Sequence, residues 1–117
     1  MGYADGFVAP VRIENKEAYL AMARKAAVVF QDHGATRVVE TWGQDLPDGK
    51  VTDFKMAVKA EVGEAIVFSF VEWPSKTARD EGWKKLMEDE RMKPDGSPMP
   101  FDGKRMIYGG FTPILDA

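Results

Sequence analysis

From Tyr3 to Val11 the chain alternates: Tyr3, Asp5, Phe7, Ala9 and Val11 form one set, and Ala4, Gly6, Val8 and Pro10 the other. Period-two alternation with two fairly apolar faces predicts a strand. Asn15 then stands where a helix N-cap is wanted, and Tyr19, Met22, Ala23, Ala26 and Phe30 recur at helical spacing up to a stop at Gly34. The spacing predicts a helix over Lys16 to His33.

Ala35 to Trp42 alternates again, with Glu40 set between Val38 and Trp42. The following Gly43 to Thr52 carries the turn signature Leu46-Pro47-Asp48-Gly49. Beyond it Phe54, Met56 and Val58 alternate with Lys55, Ala57 and Lys59, which predicts a one-sided strand. Gly63 marks a hairpin loop into a further strand, Ala65 to Trp73. Trp73-Pro74-Ser75 switches strand to helix, because Pro74 cannot donate to a ladder and Ser75 is a good N-cap. The second helix carries Ala78, Trp83, Leu86 and Met87 as its apolar stripe and ends near Asp89. Arg91 to Gly103 is too broken by proline and glycine for regular structure. A last strand runs from Lys104 to Phe111, where Gly109-Gly110 predicts a bulge or a close backbone approach.

The order strand, helix, two or three strands, helix, strand is the split β-α-β, ferredoxin-like plan of an α+β fold, in one domain over residues 1–117. A third middle strand would reverse everything after it, so Gly43 to Thr52 is read as an excursion within one long bent strand.

Composition narrows the function classes. The 16 Lys and Arg against 19 Asp and Glu leave a net charge of −3 with no basic run, which disfavours nucleic acid as a partner. With no cysteine there is no disulfide framework, thiolate metal site or cysteine nucleophile. The N-terminal residues lack the charged and apolar regions of a signal peptide, and no segment reaches the apolar length of a membrane span, so cytoplasm is the expected location. A domain of this size buries a modest fraction of its surface, and pairing with a second copy is a natural way to cover the rest.

Four stretches carry a resemblance: YADGFVAPV, ATRVVETWGQDLPDGKVTDF, EWPSKTARDEGW and MPFDGKRMIYGGF. Together they resemble the YbaA-like family of uncharacterised bacterial proteins over essentially the whole chain. That family is similar in fold to the dimeric α/β-barrel superfamily, in which two ferredoxin-like protomers pair their sheets with the helices outside. The resemblance implies a homodimer, and supplies no catalytic residues and no cofactor.

Candidate chemistry rests on acids set among apolar neighbours. Asp5 lies between Tyr3 and Phe7, Glu40 between Val38 and Trp42, and Glu72 follows Phe68 and Phe70. A carboxylate on an apolar strand face must be paired, hydrogen-bonded or raised in pKa, which is also how a pocket acid or base looks. The structural alternative pairs these acids with Arg37, Arg79 or Arg105. His33, the single histidine, sits in the last helical turn, where the helix dipole favours it; acid–base work there would need positioned partners. A ligand pocket between sheet and helices would draw on Trp42, Phe70, Trp73, Tyr108 and Arg105. The loop acids Asp45, Asp48 and Asp53 lack calcium-loop spacing, and no glycine pattern cradles phosphate, so no metal and no cofactor are expected. These residues point to a small-molecule-binding protein or small enzyme. The alternative is a non-catalytic dimerisation module, and RNA binding ranks third.

Overall fold

In a computed structural model covering residues 1–117, the chain forms an α+β fold with one four-stranded antiparallel sheet and three helices. The elements are β1 (Tyr3–Arg12), α1 (Lys16–Asp32), β2 (Arg37–Trp42), α2 (Phe54–Ala57), β3 (Glu64–Trp73), α3 (Lys76–Glu88) and β4 (Ile107–Phe111), with short 3-10 turns at Ile13–Asn15 and Glu90–Met92. The strand order is β2-β3-β1-β4. No helix is long and apolar enough to cross a membrane.

The central pair carries most of the ladder, with β1 and β3 matched from Tyr3 opposite Trp73 to Arg12 opposite Glu64. This register puts Tyr3, Asp5, Phe7, Ala9 and Val11 on the face shared with Val67, Ser69, Val71 and Trp73. Both long helices cover that face. One buried cluster joins Tyr3, Val71 and Trp73 to Val29 and Phe30 of α1 and Leu86 of α3; a second joins Val11 and Val67 to Tyr19 and Ala23 of α1. The opposite face is covered by neither long helix and is apolar, with Phe54 of α2 edge-on to Phe68 at 6.3 Å and Phe68, Ile107 and Phe111 exposed around Ala4, Gly6, Val8 and Phe70.

Helix α1 ends in a Schellman motif. Gly34 takes φ +109°, the Ala35 N–H donates to the Phe30 carbonyl at 3.0 Å, and the Gly34 N–H donates to Gln31 at 3.2 Å. Its start differs from the expectation: Asn15 occupies the N-cap position without a side-chain capping bond, because a 3-10 turn already leads the backbone in. Ser75 does cap α3, accepting from the Ala78 N–H at 3.0 Å. The buried stripe of α3 is shifted from the predicted one. Gly82 and Leu86 are buried beside half-buried Ala78, Arg79 and Trp83, and Met87 is exposed.

The strand predicted over Phe54 to Lys59 is instead the single helical turn α2. Asp53 caps it, accepting from the Met56 N–H at 2.7 Å and from the Gly49 N–H at 3.0 Å. Over so few residues, period-two alternation and an i, i+4 pair are the same pattern, and the cap decides between them. Val58 is buried while Phe54 and Met56 are largely exposed. Residues 43–63 are therefore a connection between two middle strands, and no long bent strand forms. The last strand is shorter than predicted, since Arg105 turns back onto Asp102 before β4 begins. Its pairing with β1 is unbroken through Gly109 and Gly110, so of the two readings of that glycine pair the close approach holds. A Cβ on Gly110 would stand 2.3 Å from the Tyr3 hydroxyl.

Candidate functional site

A cavity of about 290 Å³ lies between the helices and the sheet, bordered by residues of both buried clusters. Its walls come from Phe7 and Ala9 of β1, Tyr19, Met22, Ala26 and Phe30 of α1, Val38 and Glu40 of β2, Ser69 and Val71 of β3, and Trp83 of α3. Met92, Met99, Phe101 and Met106, from the irregular stretch between α3 and β4, complete it. Such a lining, apolar with a few convergent polar groups, is the usual chemistry of a small-molecule site.

Three polar side chains meet at one wall. The Tyr19 hydroxyl donates to Glu40 Oε1 at 2.6 Å, and Ser69 stands directly opposite Glu40 in the β2–β3 register. Tyr19 and Ser69 are buried, whereas Glu40, on the edge strand, is exposed over much of its surface. Its carboxyl end is nonetheless crowded. Loss of water around it raises the pKa above the ordinary carboxylate value, and the bonds from Tyr19 and Ser69 only partly offset this. Burial, then the neighbouring Glu40, pushes the Tyr19 phenol far up, so it stays a donor at all working pH.

A sign follows for stability. An acid whose folded pKa is raised contributes stability that is fully present below its unfolded pKa and lost as pH rises through the folded value. Glu40→Gln holds the group neutral and keeps an acceptor for Tyr19. We expect it to raise Tm at pH 7, with the gain over wild type shrinking toward pH 4, as read by paired thermal melts; a lower Tm at pH 7 would contradict the crowding of this carboxyl.

The other sequence candidates are dispersed. Asp5 is 3% exposed and saturated: Oδ2 accepts from Trp73 Nε1 at 2.9 Å, Trp83 Nε1 at 2.8 Å and Arg79 Nε at 3.2 Å, while Oδ1 accepts from Arg79 Nε at 3.0 Å and from a terminal nitrogen at 2.7 Å. The Arg79 guanidinium also lies 5.3 Å from the Tyr3 ring centre. Glu72 faces the uncovered side of the sheet with Phe68 and Phe70, and Arg37, opposite it in register, approaches to 3.9 Å. His33 Nε2 lies 2.7 Å from Asp89 Oδ2, tying the end of α1 to the end of α3. Arg91 first, then His33, holds the Asp89 carboxyl well below its usual range.

Of the predicted pocket residues, none lines this cavity. Trp42 packs on the second buried cluster with Lys16 5.1 Å from its ring centre. Phe70 lies on the uncovered face, Trp73 is wholly buried, and Tyr108 is exposed, stacked 6.4 Å from Phe7. Arg105 pairs with Glu64 through two bonds of 2.7 Å, with Asp102 at 2.9 Å and with the Lys59 carbonyl at 3.0 Å. It fastens the stretch that carries Met99, Phe101 and Met106, and it holds the Glu64 carboxyl below its usual range. Glu40 alone among the named acids reaches the cavity. Tyr19, Ser69 and the methionines were missed, although a serine between Val67 and Val71 and apolar residues in a proline-broken stretch were visible signals.

Comparison with known proteins finds relatives over nearly the whole chain. Residues 2–103 match the model of the family described as "Protein of unknown function (DUF1428)". The chain is 60% identical over 116 residues to "Uncharacterized protein YbaA" of Escherichia coli strain K12, covering 99% of each, and equally so to its counterparts in E. coli O157:H7 and Shigella flexneri. On this match the chain belongs to the DUF1428 family, together with the YbaA proteins.

Proposed function

We propose that the protein is a homodimeric small-molecule-binding protein or small enzyme whose site is the cavity between helices and sheet. The observation that carries this is the meeting of Glu40, Tyr19 and Ser69 at one wall of a cavity otherwise lined by apolar side chains. The test is binding of a neutral apolar probe, N-phenyl-1-naphthylamine, followed by its fluorescence. Saturable binding is expected, lost in Ala26→Phe, which fills the cavity, and kept in Phe68→Ser on the far face of the sheet. No saturable binding, or loss in Phe68→Ser alone, would reject the cavity as the site.

The dimer would form through the uncovered sheet face, two ferredoxin-like protomers closing a dimeric α/β-barrel. Support comes from the antiparallel β2-β3-β1-β4 order with both long helices on one side, and from the exposure of Phe68, Ile107 and Phe111 on the other. Apolar patches of this kind mark interaction sites. Sedimentation is expected to give a dimer at micromolar concentration and a monomer for Phe68→Glu. A wild-type monomer would remove both this interface and the reading of the protein as a dimerisation module.

A further inference from the structure

Four acids lie on the strands: Asp5, Glu40, Glu64 and Glu72. Three have an arginine. Asp5 has Arg79 at 2.7 Å, Glu64 has Arg105 at 2.7 Å, and Glu72 has Arg37 at 3.9 Å. Glu40 has only the Tyr19 phenol and its cross-strand neighbour Ser69. Neither carries a charge that compensates a carboxylate. No lysine, arginine or second acid lines the cavity, so Glu40 is the one carboxylic acid it offers to a ligand, with no basic side chain beside it.

The placement of that charge is directional. Glu40 is exposed, as are Met92 and Met99, whereas Ala9, Tyr19, Ala23, Phe30, Ser69 and Val71 are buried. The acid and the two methionines therefore form the mouth, and the apolar walls run inward. A ligand that completes this site is apolar along its body and cationic at one end. An anionic ligand would meet a carboxylate with no compensating cation, and a neutral alcohol would accept or donate one hydrogen bond while leaving the charge unpaired. Aromatic walls pack against an apolar body, and methionines adapt to an irregular hydrocarbon.

We propose that the cavity takes an apolar primary amine, its ammonium group paired with Glu40 at the mouth and its hydrocarbon body among Phe30, Trp83, Phe101 and the methionines. This rests on the reading of the cavity as the binding site and adds the ligand's chemical class. At about 290 Å³ the space has room for the phenylalkyl body of such an amine.

The test is calorimetric titration of the full chain with three probes of one skeleton: 3-phenylpropylamine, 3-phenylpropan-1-ol and 3-phenylpropanoate. The expected order is amine, then alcohol, then carboxylate. Glu40→Gln should weaken the amine about five- to tenfold and the alcohol distinctly less, since a charge-assisted bond is roughly twice as strong as a neutral one. Glu72→Gln, on the opposite face, should leave all three unchanged. Alcohol or carboxylate binding as tightly as the amine, or amine binding indifferent to Glu40→Gln, overturns the proposal and leaves the cavity reading intact. If none of the three binds, the amine proposal falls, and the N-phenyl-1-naphthylamine titration decides separately whether the cavity reading falls with it.

Discussion

Replacing Asp5 by alanine is expected to lower the unfolding free energy by about 3–5 kcal/mol, because it leaves two indole N–H groups without a partner and takes from Arg79 the more buried of its two carboxylates, only Asp80 remaining. Arg79 is three-quarters covered, Trp73 wholly so, and both of Asp5's oxygens are engaged. Against a total stability of about 5–15 kcal/mol for a domain, that loss removes a fifth or more of the whole. Urea titration followed by tryptophan fluorescence reads it directly. Asp5→Asn should fall between the two, since an amide oxygen still accepts from an indole while its NH2 group faces the guanidinium without a bond. If Asp5→Ala cost less than about 1 kcal/mol, the five hydrogen bonds would have to be weaker than their geometry implies. The sequence offered Asp5 both as a pocket acid and as an arginine partner; its surroundings are those of the second.

Gly82→Ala is the second large effect, and its sign runs against helix propensity. In an exposed helix interior the change would stabilise by about 1 kcal/mol. Here a Cβ would stand 2.4 Å from the Trp73 ring and 2.7 Å from the His33 carbonyl oxygen. Trp73 is fully buried and edge-on to Phe30 at 6.2 Å, so it has nowhere to turn, and the carbonyl belongs to the end of α1. Helix α3 would have to lift off the sheet. We expect a net loss of about 1–3 kcal/mol, the usual cost of overpacking, measured by the same urea titration. A stabilised Gly82→Ala would mean that α3 sits further from Trp73 than described.

Much of the fold was legible because its signals are local and redundant. Long alternation in β1 and β3, the Gly34 stop and the Trp73-Pro74-Ser75 switch each agree with their neighbours. Residues 54–58 failed for the opposite reason: one turn of helix and a short strand share the same apolar spacing, and only the backbone bonds of Asp53 separate them. The candidate site was far less legible. Strand alternation tells which residues share a face, but not which face the helices cover, so Glu40 and Glu72 looked alike. Met99, Phe101 and Met106 reach the cavity through a stretch with no periodicity, pinned by Arg105 to Glu64, 41 positions away in sequence. No spacing rule announces such a clasp.

The alternation of β3 has one more consequence. Val67, Ser69, Val71 and Trp73 serve the helices and the cavity, and Phe68, Phe70 and Glu72 serve the outer surface, so a single strand holds two sets of instructions interleaved one residue apart. Substitution can edit either set without touching the other. Inserting or deleting one residue within the strand would exchange them completely, turning tryptophan outward and a carboxylate into the core. Chain length is thus fixed where the two sets are read together.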